Sequence, residues 1–345
     1  MFRYLIQIEP LGLLYGSAGR FLSPENLVGR SGMSFPPSSA TVSGLFAAAK
    51  GWREKNEFCI AGPFWADCST PQNFYVPTPF NCLVKDDKIS EVMQWQNDCE
   101  LFDDDGMSMK WEDGVWAVNG EKGLRSPKND KFQKGTWIAI EDWSKLRSSS
   151  KPTVKKEPWK VLPHLHPRLD LNERRVTTDT ENGSLFLENA VQMEPGTCLV
   201  YLASEPIDPG WYRLGGEGHM VEVRCDAIGS PVTELLAESV GAQFALITPA
   251  VWGSNRLSGR SHGGWNVKTM LTERPTPFRY RLGDHEGQRS GQPKRLSRGR
   301  YAVSSGTVYV LEEALEESWS EWSEDWFPRE GPSLKRWGLG LALAI

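Results

Sequence analysis

The stretch FRYLIQI, Phe2–Ile8, is followed by a long Gly/Pro/Ser segment and then by SATVSGLFAAAKGW, Ser39–Trp52. The first stretch is rich in aromatic and β-branched residues interrupted by polar ones, which is typical of a half-buried strand. After Pro36 and Pro37, with Ser38 or Ser39 as N-cap, one helical stripe collects Val42, Leu45, Phe46, Ala49 and Trp52. This order of strand, loop and helix indicates a backbone-binding loop on a rigid frame, and the alternative interpretation is a core helix that simply follows a strand.

The segment between them, residues 9–38, is unusually poor in charge. Its charged residues are Glu9, Arg20, Glu25 and Arg30. Its glycines, at 12, 16, 19, 29 and 32, permit conformations and close approaches that a Cβ would block. Loops of this length without their own secondary structure are usually functional or disordered.

Length and composition bound the class of protein. At 345 residues the chain is expected to hold one large or two ordinary domains with buried cores. No apolar run is long enough to cross a bilayer, and residues 1–10 lack the pattern of a secretory signal. We therefore expect a cytoplasmic protein that does not bind membranes.

The metal-binding residue types do not cluster. The six cysteines contain no CxxC pair, which argues against a zinc ribbon or a dithiol redox motif. His164 and His166 alternate in VLPHLHP, but no acidic or thiolate cluster lies nearby in the sequence. We expect no metal and no cofactor.

Charge is segregated along the chain. The net charge is −5, yet residues 145–175 hold nine Lys/Arg against three acids, and residues 289–300 are basic with no acid. Acidic tracts cover residues 98–113 and 312–330. Such segregation suits a subunit that contacts a polyanion with one face and protein with another, although each tract alone is equally typical of a solvated loop.

The fold class follows from the order of predicted elements. Residues 56 to about 165 are predicted to form an irregular, Trp-rich insertion. Strands are predicted at 184–191, 197–203, 220–225, 244–252, 278–282, 301–311 and 339–345, with a short helix at 233–240 and a glycine turn in LGGEG, Leu214–Gly218. Two successive strand-rich units predict an α+β protein rather than a doubly wound parallel sheet.

Six segments together resemble the RAMP superfamily. They are LGLLYGSAGRF (11–21), FPPSSATVSGLFAAA (35–49), LGGEG (214–218), FALITPAVW (244–252), RYAVSSGTVYVLE (300–312) and WGLGLALAI (337–345). More narrowly, they are similar to the third Cmr subunit of type III-B CRISPR effector complexes. The match covers both halves of the chain in order, and it does not extend to the insertion.

The resemblance implies two tandem ferredoxin-like (RRM-like) domains, residues 1–228 with the insertion and residues 229–345 with a C-terminal glycine-rich loop. It implies a non-catalytic subunit that binds the 5′ handle of CRISPR RNA (crRNA) and contacts the large palm-domain subunit and neighbouring RAMP backbone subunits. The RNA-binding residues predicted on this basis are Arg20, Arg30, Ser31, Ser38, Thr41, Lys155, Lys156, Arg174, Arg175, Arg213, Gly215, Gly216, His219, Gly338 and Gly340. These groups offer the cations, hydroxyls and backbone amides that grip a single strand.

Two other functions stay open on the sequence. A metal-independent endoribonuclease that processes precursor crRNA would need an acid or base near the 2′-OH, and His164 and His166 are its candidates. A purely protein-binding scaffold would use the basic tracts to meet acidic partners.

Overall fold

The computed structural model describes residues 1–15, 35–52, 57–103, 105–148, 150–167, 175–176, 185–215, 218–282 and 296–345. These residues form a strand-rich protein with two α-helices, α1 (Ser39–Lys50) and α2 (Ser230–Ala237). Four 3₁₀ segments are present at Ile140–Arg147, Trp319–Glu321, Glu324–Trp326 and Leu334–Trp337. A mixed, strand-rich fold with few helices is compatible with the predicted α+β class.

The strands are numbered in chain order. The first part of the chain holds β1 Tyr4–Pro10, β2 Leu14–Tyr15, β3 Ile60–Asp67, β4 Tyr75–Pro77, β5 Cys82–Lys85, β6 Lys88–Val92, β7 Gln94–Gln96, β8 Cys99–Phe102, β9 Ser108–Trp111, β10 Val115–Asn119, β11 Leu124–Arg125, β12 Thr136–Ala139, β13 Val154–Lys156, β14 Trp159–Pro167, β15 Leu185–Met193, β16 Thr197–Ala203, β17 Gly210–Leu214 and β18 His219–Ala227. The second part holds β19 Gly241–Leu246, β20 Trp252–Gly253, β21 Ser258–Gly259, β22 Val267–Leu271, β23 Thr276–Phe278, β24 Arg300–Ala302, β25 Val308–Leu315 and β26 Ala342–Ala344.

The first part is organised around an eight-stranded antiparallel sheet in the order β13-β12-β4-β3-β16-β1-β18-β17. Both β1 and β3 are antiparallel to β16, which lies between them, so β1 and β3 run parallel to each other. Helix α1 lies in the connection from β1 to β3. The register places Ile6 opposite Tyr201 on one side and Cys225 on the other.

The second part forms a four-stranded antiparallel sheet in the order β22-β25-β19-β26. In chain order these are its second, third, first and fourth strands, which is also the order of β3, β16, β1 and β18 in the large sheet. The connection from β19 to β22 carries the hairpin β20–β21, and the connection from β25 to β26 carries three of the 3₁₀ segments.

The predicted irregular insertion begins later than residue 56. Strand β3 lies at the centre of the large sheet, and β4, β12 and β13 extend that sheet to one edge. The prediction was wrong for this stretch because Gly62 and Pro63 interrupt an apolar run, a pattern that is typical of a loop. The residues between β4 and β12 form small sheets, and a long ribbon of β14 and β15 pairs with β2.

Two hydrophobic cores hold these elements together. Helix α1 buries Val42, Leu45 and Phe46 against one face of the large sheet. The opposite face of that sheet shares a continuous core with the second sheet, in which Leu5 and Val200 from the first join Phe244 and Trp252 from the second. No helix in the described ranges is long and apolar enough to cross a membrane.

Candidate nucleic-acid interface

The hairpin of β17 and β18 exposes a mixed aromatic and basic surface. Along β17, Tyr212 and Leu214 belong to the core under α1, so the alternate residues Trp211 and Arg213 face the other side of the sheet. Trp211 is 71 % exposed, and Met220, which is opposite Arg213 in the register, is 42 % exposed. A tryptophan this exposed is uncommon and has little value for folding. This Trp211–Arg213–Met220 group is termed the hairpin surface.

The glycine turn of LGGEG connects these two strands. Gly215 and Gly218 have φ of 73° and 70°, which favours glycine. A Cβ on Gly218 would lie 3.5 Å from Cδ of Arg213, so the arginine side chain rests against the turn. His219 begins β18 opposite Leu214. The predicted residues Arg213, Gly215 and His219 are therefore neighbours.

The start of the glycine-rich loop lies beside the same hairpin. The backbone N–H of Leu11 donates to the carbonyl of Met220 at 3.1 Å, directly after β1 ends at Pro10. Leu11 itself is 48 % exposed and adds to the hairpin surface. The structure thus places Leu11, at the start of the first glycine segment, beside the hairpin whose glycine turn lies about two hundred residues later in the sequence. The predicted residues Arg20, Arg30, Ser31, Arg174 and Gly216 lie outside the described residues.

The N-terminus of α1 forms a second group. Ser38 is the N-cap, and its hydroxyl lies 3.4 Å from that of Thr41 rather than on a backbone N–H. The adjacent Ser39 hydroxyl donates to the carbonyl of Gly62 at 3.0 Å, which fixes the helix end on β3. Both predicted hydroxyls therefore sit at the helix end, where backbone N–H groups attract an anion.

The C-terminal glycines are buried, and Gly338 lies against the same strand, β3. Gly338 has φ of 63°, and a Cβ there would overlap Ala61 of β3 and lie 2.9 Å from the carbonyl oxygen of Ile60. Its own carbonyl accepts a hydrogen bond from Thr248 at 2.6 Å. The N–H of Gly340 donates to Pro249 at 2.8 Å. Gly338 joins the second sheet to the first, whereas the neighbours of Gly340 are Pro249, Ala250 and Trp252 of the second part of the chain.

A buried cation supports this junction. Lys335 is 4 % exposed, and its ammonium donates to the carbonyls of Ser320, at 2.8 Å, and Trp322. Burial lowers the pKa of Lys335, against the opposing effect of Glu324. The lysine, which lies in the 3₁₀ segment Leu334–Trp337, thus holds the end of the segment Trp319–Glu321 and is not available to a ligand.

The predicted pair Lys155 and Lys156 lies elsewhere. Both are on β13, at the edge of the large sheet opposite β17, so six strands lie between them and β17 of the hairpin surface. Lys155 pairs with Asp67 at 2.9 Å and lies 4.8 Å from the ring centre of Tyr75. Partial burial lowers the pKa of Lys155, but bonding to Tyr75 and Asp67 outweighs it, and the net shift is upward. Lys156 is exposed.

The residues of the alternative catalytic hypothesis lie on the ribbon. His164 is an exposed residue of β14 opposite Glu188, and the side chain of His166 lies outside the described residues. Arg175 is exposed in a short described stretch. Across the ranges the structure describes, no group of three or more His, Cys, Asp or Glu is arranged to hold a metal ion.

Trp211 and Met220 were not among the RNA-binding residues predicted from the sequence. Their signal was the alternation of Trp211, Tyr212, Arg213 and Leu214 before a glycine turn, which marks one side of a strand as apolar and aromatic. Which side is exposed depends on where α1 packs, and that information is not local.

Comparisons with known proteins agree with the resemblance. No curated protein matches the chain. Two solved structures, both of "the Type III-B Cmr-beta bound to cognate target RNA", the second also with AMPPnP, match 89 % of this chain and 86 % of theirs, with 10 % and 9 % identity and TM-scores of 0.46 and 0.45. The family model described as "CRISPR-associated protein (Cas_Cmr3)" matches residues 13–345. Because that match covers nearly the whole sequence, the chain belongs to the Cas_Cmr3 family of CRISPR-associated proteins, which confirms the predicted resemblance to the third Cmr subunit.

Proposed function

We propose that this subunit of a type III-B CRISPR effector complex binds the 5′ handle of crRNA, makes and breaks no covalent bond, and does so with the hairpin surface and the glycine-rich loop beside it. The observation that carries the proposal is the contact of Leu11 with Met220, which joins the loop to Trp211 and Arg213. An exposed indole offers a stacking platform for a base, and an arginine next to it offers donors for a phosphate.

The placement on the sheet supports this ligand. RRM-type domains bind single-stranded RNA on the sheet face opposite their helices, where exposed aromatic side chains stack on bases. Trp211 and Arg213 lie on the face opposite α1. Glu222, which is opposite Trp211 in the register, is paired with Arg224 at 2.9 Å, so its charge is partly neutralised.

We also propose that the chain consists of two tandem ferredoxin-like domains, residues 1–228 and 229–345. The second domain ends in the C-terminal glycine-rich loop that contains Gly338 and Gly340. The support is the shared strand order of the two sheets, with a third strand inserted between two parallel ones as in a split βαβ unit. In the first domain α1 occupies the expected crossover.

The remaining partners in the proposal are proteins. The exposed carboxylates at the end of β25, Glu312 and Glu313, continue into Glu316 and Glu317 and form an acidic surface that repels RNA. We assign this surface to contact with other subunits, the large palm-domain subunit and neighbouring RAMP subunits being the candidates. Gly338 contributes to the proposal by joining the two domains, and Gly340 by fixing the C-terminal loop on Pro249. Ser38 and Thr41 contribute by direct contact with the RNA.

Binding of a fluorescent 5′-handle oligonucleotide to the full chain, followed by anisotropy, tests the handle site. Trp211→Ala is expected to weaken binding about tenfold, because stacking on one base is worth about 1–3 kcal/mol. Trp211→Phe should retain most of the affinity, and Trp211→Leu, which is apolar but cannot stack in the same way, should not. Equal affinity for all three variants contradicts the proposal.

The catalytic alternative is tested in the same preparation. Repeat-containing RNA is incubated with the chain in EDTA, and the products are compared with those of the His164→Ala/His166→Ala variant. We expect intact RNA in both reactions. Specific cleavage that disappears in the variant would establish the endoribonuclease and overturn the non-catalytic part of the proposal.

A further inference from the structure

Two small two-stranded sheets in the second part of the chain, β20–β21 and β23–β24, carry a basic surface that the handle site does not use. The described residues between 250 and 311 include one acid, Glu273, which pairs with Lys134 at 3.9 Å. The same residues include eight basic side chains, namely Arg256, Arg260, Lys268, Arg274, Arg279, Arg281, Arg298 and Arg300. A chain with a net charge of −5 therefore concentrates positive charge on this part of its surface.

A tight turn projects the centre of this surface. In the hairpin β20–β21, the N–H of Ser254 donates to the carbonyl of Leu257 at 2.9 Å, and the Ser254 hydroxyl accepts the N–H groups of Arg256 and Leu257 at 3.2 and 3.0 Å. Gly253 has φ of 98°, and a Cβ there would lie 2.8 Å from the N of Gly259. The turn leaves Leu257 75 % exposed beside Arg256.

The turn is fixed to strand β24. The N–H of Tyr301 donates to the Ser258 hydroxyl at 2.9 Å, and the guanidinium of Arg298 donates to the carbonyl of Asn255 at 3.3 Å. Tyr301 is 56 % exposed. Two exposed apolar side chains and two exposed arginines thus lie on one patch, defined as the second-sheet surface: Arg256, Leu257, Arg298 and Tyr301.

The charge of this patch is not cancelled from within. Among the described residues, the carboxylate of Glu330 is already paired with the buried Arg300 at 2.8 Å while accepting the N–H of Arg298 at 3.1 Å. In the described part of the chain, the side chain of Arg256 has no hydrogen-bond or ion-pair partner. Arg256 and Arg298 are therefore available to an external anion.

We propose that the second-sheet surface is a second binding site for single-stranded RNA, in which Tyr301 stacks on a base with Leu257 packed beside it while Arg256 and Arg298 contact phosphates. The inference goes beyond the handle site and takes from the proposed function only that RNA is the ligand. Arginine side chains interleaved with an exposed aromatic ring are the pattern of single-strand binding surfaces, and the carboxylate beside them, Glu330, is already paired with Arg300. An acidic protein partner would meet the same charges, but it would not need an exposed ring.

Anisotropy with a fluorescent, unstructured oligouridine at several salt concentrations tests this site on the full chain. Arg256→Glu/Arg298→Glu is expected to weaken binding at least tenfold and to reduce the slope of log K against log salt by about 1.4, the value for two phosphates of a single strand. The control Lys88→Glu/Lys128→Glu makes the same change in net charge on exposed residues of the small sheets and their loops. Tyr301→Ala should weaken binding about tenfold and Tyr301→Phe little.

The outcomes separate this inference from the handle site. Both sites are supported if the Arg256/Arg298 variant loses oligouridine binding and only Trp211→Ala loses handle binding. If the Arg256/Arg298 variant loses oligouridine binding and Trp211→Ala has no effect on handle binding, the second-sheet surface is supported and the handle site is overturned. The second-sheet surface is overturned if its charge reversal changes RNA affinity no more than the lysine control does. It is also overturned if RNA affinity is unchanged while copurification of the other subunits is lost, since that result would identify a protein-docking surface.

Discussion

The two sheets place their strands in the same order, but one is covered by a helix and the other by tryptophans. In the large sheet, α1 buries Val42, Leu45 and Phe46 on one face. In the four-stranded sheet, the chain between β25 and β26 forms short 3₁₀ segments that bury Trp319 and Trp322. The same strand order is thus covered by an amphipathic helix in the large sheet and by large aromatic side chains in the four-stranded sheet.

The aromatic cover is a connected cluster. The ring of Trp322 lies 5.3 Å from Trp265, 5.8 Å from Phe244 and 6.4 Å from Trp252, mostly at steep interplanar angles. Aromatic pairs in edge-to-face contact stabilise a core beyond the area they bury. We conclude that the buried indoles of the connection between β25 and β26 cover this sheet.

The largest expected effect comes from removing this cover. Trp322→Ala should lower the free energy of unfolding by about 4 kcal/mol, because it leaves a cavity in a closely packed cluster. Trp322→Phe should cost clearly less, since the indole N–H has no hydrogen-bond partner among the described residues and a ring remains. Urea unfolding followed by circular dichroism measures both.

Trp211→Ala is the matched control for this prediction. Trp211 is 71 % exposed on the first sheet, so its removal should change the free energy of unfolding by less than about 0.5 kcal/mol. Similar losses for Trp322→Ala and Trp211→Ala would contradict the assignment of Trp322 as core and of Trp211 as a binding residue.

A second, smaller effect is expected where the two sheets meet. Gly338 and Gly51 are both C-caps in the left-handed region, with φ of 63° and 64°. A Cβ on Gly338 would overlap Ala61, whereas one on Gly51 would meet nothing within 4 Å. Gly51→Ala should therefore cost about 1 kcal/mol for the conformation alone. Gly338→Ala should cost about 3 kcal/mol, since steric overlap adds to it.

The measurement is again urea unfolding. Equal costs for the two glycine variants would mean that the contact between Gly338 and β3 is not formed in solution, and the continuous core shared by the sheets would then be in question.

The strands and the helix α1 were predicted from the sequence better than the tryptophan-rich segments that cover the second sheet. The run Thr197–Ala203 was predicted as a strand and is β16, with all seven residues buried. The stripe of α1 was confirmed at Val42, Leu45 and Phe46, but Gly51 ends the helix before Trp52. These elements were predictable because continuous apolar runs and helical spacing are local signals.

The tryptophan cover was not predicted, because residues 312–330 were interpreted through their acidic charge. Trp319 and Trp322 lie among exposed carboxylates, and only the tertiary structure separates the buried indoles from the charged residues beside them. The C-terminal strand was predicted at 339–345 and is limited to Ala342–Ala344, since Gly338 and Gly340 both have positive φ. Short segments rich in glycine and tryptophan show no helical or strand periodicity, so their structure could not be predicted from the sequence.

The candidate site divides in the same way. Arg213, Gly215 and His219 were predicted from the glycine turn, which is a local motif. The exposure of Trp211, the distance of Lys155 from the hairpin surface and the burial of Gly338 all depend on strand order. Strand order is set by contacts between residues more than a hundred positions apart, so it could not be derived from one sequence.

The smallest expected effect concerns the first 3₁₀ segment of the tryptophan cover. Ser318 and Glu321 form a capping box, in which Glu321 accepts the N–H of Ser318 at 2.8 Å and its hydroxyl at 2.9 Å. Both hydrogen bonds lower the pKa of Glu321, and the bond from the backbone N–H of Ser318 has the larger effect. The unfolded chain therefore binds more protons than the folded one as pH falls below the ordinary glutamate range near about 4.3.

The stabilisation from Glu321 is accordingly present at neutral pH and is lost as pH falls through its lowered folded-state pKa. Glu321→Gln can still accept both hydrogen bonds but does not titrate. The difference in urea midpoint between the wild type and Glu321→Gln should be small at pH 7 and should shrink between pH 5 and pH 3. The control Glu313→Gln, at an exposed carboxylate of β25, corrects for the loss of one negative charge. A difference that stays constant with pH would show that the cover is held by its indoles alone, and the comparison of the two sheets would become sharper still.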